Sequence, residues 1–310
     1  MKVVELAEKI VALTGATGFV GGATLERLLD GGWHIRALTR SEQPKRADVT
    51  WVNGALDRPD SLVMLCDGAD AVLHIAGIVN APDITAFETG NVTGTANMLS
   101  AAKAAGIRRF VHVSSLSARE PLLSAYGASK AKAEKLVATS LLDWTIVRPP
   151  GVFGPGDKDV FEMFRMANKG LCLLPPAGLG SWIYVDDLAR LLVALLPAHE
   201  DATARIFEAD DGEPGGWTHE GFARAIGWAL GKRINTFSAP RPLLFAAAWA
   251  DRLVRGKRAK LTPDRAGYMS HPDWVIDRNF APPAALWSPQ TPTREGLKTT
   301  ARWYKANGWL

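Results

Sequence analysis

Three glycines at three-residue intervals, Gly15, Gly18 and Gly21, separate a short apolar run, Ile10-Val-Ala-Leu-Thr14, from a helical pattern, Ala23-Thr-Leu-Glu-Arg-Leu-Leu29, that stops at Gly31-Gly32. Few folds place a glycine-rich turn between a first strand and a first helix. Missing side chains let the backbone approach a pyrophosphate, which then lies against the free amides of the helix N-terminus. A purely structural turn would also use glycine, but this one opens a long alternation. Strands are expected at 33–39, 49–52, 69–76, 109–113 and 144–147, and helices at 59–65, 91–105 and 125–139. Strands and helices alternating at this spacing predict a parallel sheet covered on both faces.

The expected fold is therefore α/β, a Rossmann-type doubly wound parallel sheet binding a dinucleotide. After Pro150 the alternation breaks into Gly151-Val-Phe-Gly-Pro-Gly156, a helix near 158–169 and a Pro- and Gly-rich loop at 174–180. One further unit follows, a strand at 182–185 and a helix through Leu196 with Asp186 or Asp187 as its cap. Beyond residue 210 no clean strand periodicity is legible. The expected organisation is a dinucleotide-binding domain from 1–153 and 181–209, with a smaller substrate-binding domain from 154–180 and 210–310. A chain of 310 residues is long enough for either one large core or two modest ones.

Composition removes several function classes. The apolar stretches 191–196 and 242–250 fall far short of the ~20 residues that cross a bilayer, so no membrane partner is expected. Glu5 and Glu8 precede the glycine motif where a signal peptide would need an apolar region, which points to a cytoplasmic location. Cys66 and Cys172 lie far apart in apolar surroundings, with neither metal nor disulfide spacing; buried, inert thiols and no metal site are expected. Net charge is +4, but residues 250–310 carry 11 Lys and Arg against 5 Asp and Glu. The cluster Arg252, Arg255, Lys257, Arg258 and Lys260 could meet a phosphate-bearing substrate or an anionic surface, although charge runs are usually solvated faces. Nucleic-acid binding is not expected. The amphipathic helix near 243–256 is read as a cover for the active site rather than a partner or membrane contact.

Two local features carry chemistry. The second strand ends in Thr39-Arg40-Ser41, where an acid would hold the ribose hydroxyls of NAD; an Arg can pair with the 2′-phosphate of NADP. NADP is favoured over NAD, with a solvated strand-end residue as the alternative for Arg40. Tyr126 and Lys130 stand one helical turn apart and share a face. A cation beside a phenol favours the phenolate, so this tyrosine can pass a proton to or from an alcohol. The same spacing also arises on solvated helices.

Seven segments together resemble the extended short-chain dehydrogenase/reductase family, the NAD(P)-dependent epimerase/dehydratase group. They are Thr14-Gly-Ala-Thr-Gly-Phe-Val-Gly21, His74-Ile-Ala-Gly77, Asn91-Val-Thr-Gly-Thr-Ala-Asn97, Val113-Ser-Ser115, Tyr126-Gly-Ala-Ser-Lys130, Arg148-Pro-Pro-Gly-Val-Phe-Gly154 and Tyr184-Val-Asp-Asp187. The resemblance spans roughly residues 10–200 and keeps the family's order. It implies Tyr126 as general acid/base, Lys130 as the residue that holds the nicotinamide ribose and lowers the tyrosine pKa, and Ser115, in competition with Ser114, as the donor to the substrate oxygen. For the cofactor it implies Gly15, Thr17, Gly18, Phe19, Val20 and Gly21 at the pyrophosphate, Ala76 and Gly77 beside ribose and phosphates, and Pro149 to Val152 at the nicotinamide. Asn91 has a structural or a catalytic role. A homodimer is implied by analogy alone.

Two departures stand out. Where many relatives have an Asp after the glycine of the third strand, Gly54 is followed by Ala55, leaving the Leu56 backbone and Asp57 for adenine. Ser115 and Tyr126 are only eleven residues apart, so substrate selection falls to the C-terminal part. The expected reaction is hydride transfer between NADP(H) and a secondary alcohol or ketone. Eight of the 11 Trp lie from residue 182 onward, suiting an apolar or aromatic small-molecule substrate, though core packing is their commoner use. The alternatives are nucleotide-sugar epimerisation or dehydration, and a non-catalytic dinucleotide sensor or assembly protein, against which the intact Ser, Tyr and Lys argue.

Overall fold

The computed structural model describes residues 9–81, 83–256, 259 and 261–310. Lys257, Arg258 and Lys260 of the basic cluster, and Glu5 and Glu8, lie outside the described residues.

Seven parallel strands form the central sheet: β1 (Ile10–Thr14), β2 (His34–Thr39), β3 (Val49–Asn53), β4 (Ala71–His74), β5 (Arg109–Val113), β6 (Asp143–Arg148) and β11 (Arg205–Glu208). Their order is β11-β6-β5-β4-β1-β2-β3. The chain builds outward from β1 to β3, then returns beside β1 as β4 and builds the other way. The crevice at the carboxyl ends of β1 and β4 is thus the topological switch point, where open α/β sheets bind ligands.

Alternate strand residues supply two cores, as the two-residue period of a strand requires. Val11, Leu13, Ile35, Leu73 and Val111 face α1 (Phe19–Asp30) and α7 (Val185–Ala194). Ala12, Leu38, Val72, Phe110 and Ile146 face α2 (Pro59–Cys66), α4 (Gly94–Ala104) and α5 (Ala125–Ala138). Both cysteines are buried, and burial pushes the Cys66 thiol up to about 12 and that of Cys172 to about 11.

The expected strand at 182–185 is β10 (Trp182–Tyr184), and it does not join the large sheet. It pairs instead with β7 (Gly151–Phe153), while β11 takes the outer position beside β6. Neither Asp186 nor Asp187 caps α7, whose N-cap is Tyr184 with no side-chain bond. Both carboxylates point away into tertiary contacts. Asp186 takes a bidentate pair from Arg27 of α1 at 2.6 and 2.5 Å, and Asp187 accepts the amides of Gln290 and Thr291.

The remaining elements of the later chain lie outside the large sheet. They include α6 (Asp159–Asn168), β8 (Leu171–Leu174), β9 (Leu179–Gly180), β12 (Trp217–Thr218), α8 (His219–Leu230), β13 (Asn235–Ser238), α9 (Arg241–Arg255), α10 (Pro263–Met269), β14 (Asp273–Trp274) and α11 (Thr293–Ala306). An aromatic core of Phe153, Phe164, Phe222 and Tyr304 joins α6, α8 and α11. Four of the eight late tryptophans, Trp182, Trp217, Trp303 and Trp309, pack against that core.

Candidate active site

β1 ends at Thr14 and the chain turns at Gly15 with φ +82°, a conformation that disfavours any side chain. A Cβ there would also stand 2.8 Å from the Ala76 amide nitrogen, so only glycine lets the ends of β1 and β4 close together. Gly21 is equally constrained, since its Cβ would stand 1.9 Å from the Gly15 carbonyl oxygen. Gly18 is the N-cap of α1, which has no capping side chain and no acid in its first turn. Thr17 and Gly18 are exposed, and Phe19 and Val20 are half-buried. This cradle of glycine backbone and unshielded helix amides fits a dinucleotide pyrophosphate.

The opposite lip is held by a hydrogen-bonded chain. Thr14 Oγ1 accepts the Ala76 amide at 3.1 Å and lies 2.7 Å from His74 Nδ1. His74 Nε2 faces Thr95 Oγ1 at 3.1 Å, and that hydroxyl donates to the Asn91 carbonyl. Because Thr95 spends its proton on Asn91, His74 carries its own on Nε2 and stays neutral; burial, with Lys130 nearby, lowers its pKa to about 3. Asn91 grips Ile78 on both sides, accepting its amide at 2.7 Å and donating to its carbonyl at 2.9 Å, and also donates to Ser129 Oγ. These bonds give Asn91 a structural task, fixing the exposed Gly77 and half-buried Ala76 beside the glycine loop.

Around the candidate reacting groups, Ser114 and Ser115 part company. Ser114 is buried and donates to Glu134 Oε1. Ser115 caps a short 3₁₀ turn, Leu116–Arg119, and receives the Ser117 hydroxyl at 2.9 Å. Ser124 caps α5 by accepting the Gly127 amide, which sets Tyr126 at the helix start. The Ser115 and Ser117 hydroxyls lie near the Tyr126 phenol and act to lower its pKa. Burial nevertheless pushes the phenol up to about 12, with Tyr268 and Asp159 adding to the rise. Lys130 Nζ donates to the Val113 carbonyl at 2.8 Å, and burial lowers its pKa to about 8.

The expected depression of the tyrosine by the lysine is therefore not what this arrangement gives. Desolvation outweighs everything else at Tyr126, and the ammonium is directed at a backbone carbonyl of β5.

Arg40 stands exposed at the end of β2, while Thr39 bonds back to Ser41. Leu56 is half-buried and its carbonyl accepts Asn97 Nδ2 at 2.8 Å, leaving only its amide to face a base. The Pro149 carbonyl accepts the Leu116 amide, tying the end of β6 to the Ser115 turn, and Val152 sits in β7 against the first core.

Four residues absent from the sequence reading flank Tyr126. The rings of Phe87 and Tyr268 lie 6.0 and 6.4 Å from its own. Arg265 bonds to Asp159 at 2.9 Å and its charge lies near the Tyr268 phenol. Tyr268 and Arg265 come from α10, whose Thr262-Pro263 start is a recognisable cap with proline at the first helical position.

A profile of the NAD dependent epimerase/dehydratase family matches residues 11–209. The chain belongs to this family. Its members are NAD-dependent reductases, epimerases and dehydratases, and this chain is an enzyme of that kind. The chain is 32% identical to a ceramide reductase of Caulobacter vibrioides, over 98% of this chain and 97% of that protein. It is 26% identical to a UDP-glucose 4-epimerase of Vibrio cholerae, covering 95% of each. Among solved structures it is similar to UDP-glucuronic acid 4-epimerase from Bacillus cereus in complex with UDP-glucuronic acid and NAD, at a TM-score of 0.74 and 20% identity, covering 96% of this chain and 99% of that one. That likeness carries the fold.

Proposed function

We propose that this family member reduces the ketone of an apolar, lipid-class substrate with NADPH, using Tyr126 as the proton donor. The observation that carries the reading is Tyr126 packed against the rings of Phe87 and Tyr268 close to the Ser115 hydroxyl, its phenol raised by burial to about 12. A phenol so raised keeps its proton throughout the neutral range, the state that reduction needs. When bound, NADPH supplies the hydride. The glycine cradle and the α1 amides hold its pyrophosphate, Arg40 its 2′-phosphate, and Ala76, Gly77, Leu56, Pro149 and Val152 the remaining surfaces. Ser115 donates to the ketone oxygen, Tyr126 delivers the proton there, and Lys130 holds a ribose hydroxyl.

Aromatic side walls from Phe87 and Tyr268 favour an apolar substrate. The guanidinium groups on this side are already committed: Arg119 to Glu208, Arg148 to Glu134 and Glu208, Arg265 to Asp159. A diphosphate would have to displace those carboxylates. Similarity to a ceramide reductase over nearly the whole chain favours the lipid. The second reading, nucleotide-sugar epimerisation, is favoured by the similarity to a UDP-glucose 4-epimerase.

Assaying NADPH consumption with a detergent-dispersed long-chain ketone tests the reading. Wild-type protein should turn over, and Tyr126→Phe should lose about 10²-fold or more in kcat while binding NADPH as before. Unchanged turnover in the variant removes the acid/base role, and conversion of UDP-glucose without net NADPH consumption favours the second reading.

A further inference from the structure

Helix α9 is apolar where a helix on a protein surface should be polar. Its inward face is small, with Leu244 and Ala248 buried against Ala266 of α10, and Leu261 and Met269 alongside. At 100° per residue, Leu243, Ala246, Trp249, Ala250, Leu253 and Val254 fall on one continuous outward arc of about 140°. All six are exposed, Trp249 by 56% and Leu253 and Val254 by 84% each. No charged residue interrupts the arc, although a solvated helix places its charges there. The inward face meets α10, which carries Tyr268 against Tyr126, and the apolar arc is left exposed.

The charge pattern names the occupant. From 241 to 260 the sequence has six cations, Arg241, Arg252, Arg255, Lys257, Arg258 and Lys260, against the single acid Asp251. The Arg252 guanidinium lies 6.0 Å from the centre of the Trp249 ring at the arc's edge, and that of Arg241 lies 5.7 Å from the centre of the neighbouring Phe245 ring. An apolar face with an exposed Trp and a cationic border is the pattern of a helix that lies in the headgroup region of an anionic bilayer. A second copy is disfavoured, because a symmetric contact would set two strongly cationic segments against each other. Among the described residues no helix is long and apolar enough to cross a membrane, so the contact is with its surface.

We propose that α9 docks this enzyme on anionic lipid bilayers, an inference that rests on the lipid-ketone reading and extends it. The helix lies one element from the chemistry. α9 packs on α10, and α10 places Tyr268 against Tyr126. An apolar ketone leaving the bilayer beside α9 would reach the candidate site without crossing much water.

The test is co-sedimentation of the full chain with vesicles of phosphatidylcholine alone and of equal parts phosphatidylcholine and phosphatidylglycerol. Wild-type protein should pellet with the mixed vesicles, much less with the neutral ones, and less again at high salt. The double variant Leu253→Glu, Val254→Glu should lose at least about tenfold in vesicle binding with an unchanged Tm, since both side chains are exposed. Wild-type protein left in the supernatant, or a double variant that pellets like the wild type, overturns the proposal. So does a double variant that turns a dimer into a monomer on a sizing column while still binding vesicles, which would make the arc an interface between copies. Tyr126→Phe should pellet like the wild type. If vesicles are not bound but the dispersed ketone is still reduced, docking alone fails; bound vesicles without ketone reduction would leave docking standing and remove the reading beneath it.

Discussion

At the scale of single residues, the proposed preference for NADPH rests on one exposed side chain. Arg40 stands at the carboxyl end of β2. The neighbouring Thr39 hydroxyl is spent on Ser41, so it does not compete for a ligand. A guanidinium that meets a 2′-phosphate forms charge-assisted bonds that a ribose hydroxyl cannot match. Arg40→Ala should therefore raise Kd for NADPH by about 10- to 100-fold, the equivalent of about 1.5–3 kcal/mol, and change NADH affinity little. Fluorescence titration of both cofactors checks this, and equal weakening of the two would remove Arg40 from the phosphate site. The same scale bears on Ser114 and Ser115, both open from the sequence: the Ser114 hydroxyl proton is spent on Glu134, which Arg148 also holds, whereas among the described residues Ser115 Oγ accepts only from Ser117, which favours Ser115 as the proposed donor.

At the scale of elements, what could be read depended on whether a local pattern determined the structure. The strands β1 to β6 and the helix bearing Tyr126 follow from apolar runs, turn glycines and 3.6-residue periodicity, all visible within a short window. The glycine cradle was legible for the same reason. Strands β7, β9, β12 and β14 are two or three residues long, with no period to detect, and they exist only because distant segments pair with them. Helix α10 is the costliest omission, since it delivers Tyr268 and Arg265 to the site. It is docked by Asp264, whose carboxylate accepts the Ala125 amide at 2.5 Å, the first helical residue of α5. That bond fixes α10 to the very turn that positions Tyr126. Asp264→Ala should thus raise KM for the ketone several-fold while leaving NADPH affinity unchanged, at a stability cost of about 1–3 kcal/mol. Asp264→Asn keeps an acceptor oxygen and should recover most of the KM. A uniform loss of kcat in both variants would point to the charge instead of the docking.

At the scale of the whole molecule, the centre of the sheet makes the fold acid-sensitive. His74 and His112 stack at 5.3 Å on the face covered by α4 and α5. Neither ring nitrogen of His112 finds a hydrogen-bond partner among the described residues, and burial, with Lys130 and His74 nearby, holds its pKa well below the ordinary range. His74 is lowered to about 3. A group whose folded pKa lies below its unfolded value contributes stability above the unfolded pKa, here about 6.5, and that stability is lost as pH falls toward the folded value. Asp157 works in the other direction, because burial raises it to about 6 and the fold gains as that carboxyl takes up a proton. Two histidines with large shifts outweigh one aspartate with a smaller one. Tm should accordingly decline from pH 7 to pH 5. His112→Leu exchanges an unbonded imidazole for an apolar group of similar bulk beside Phe110 and should flatten that decline without lowering Tm at pH 7 by much. Differential scanning fluorimetry across this range checks both proteins. A wild-type Tm that holds or rises toward pH 5 would mean that the buried imidazoles do not govern the acid limb.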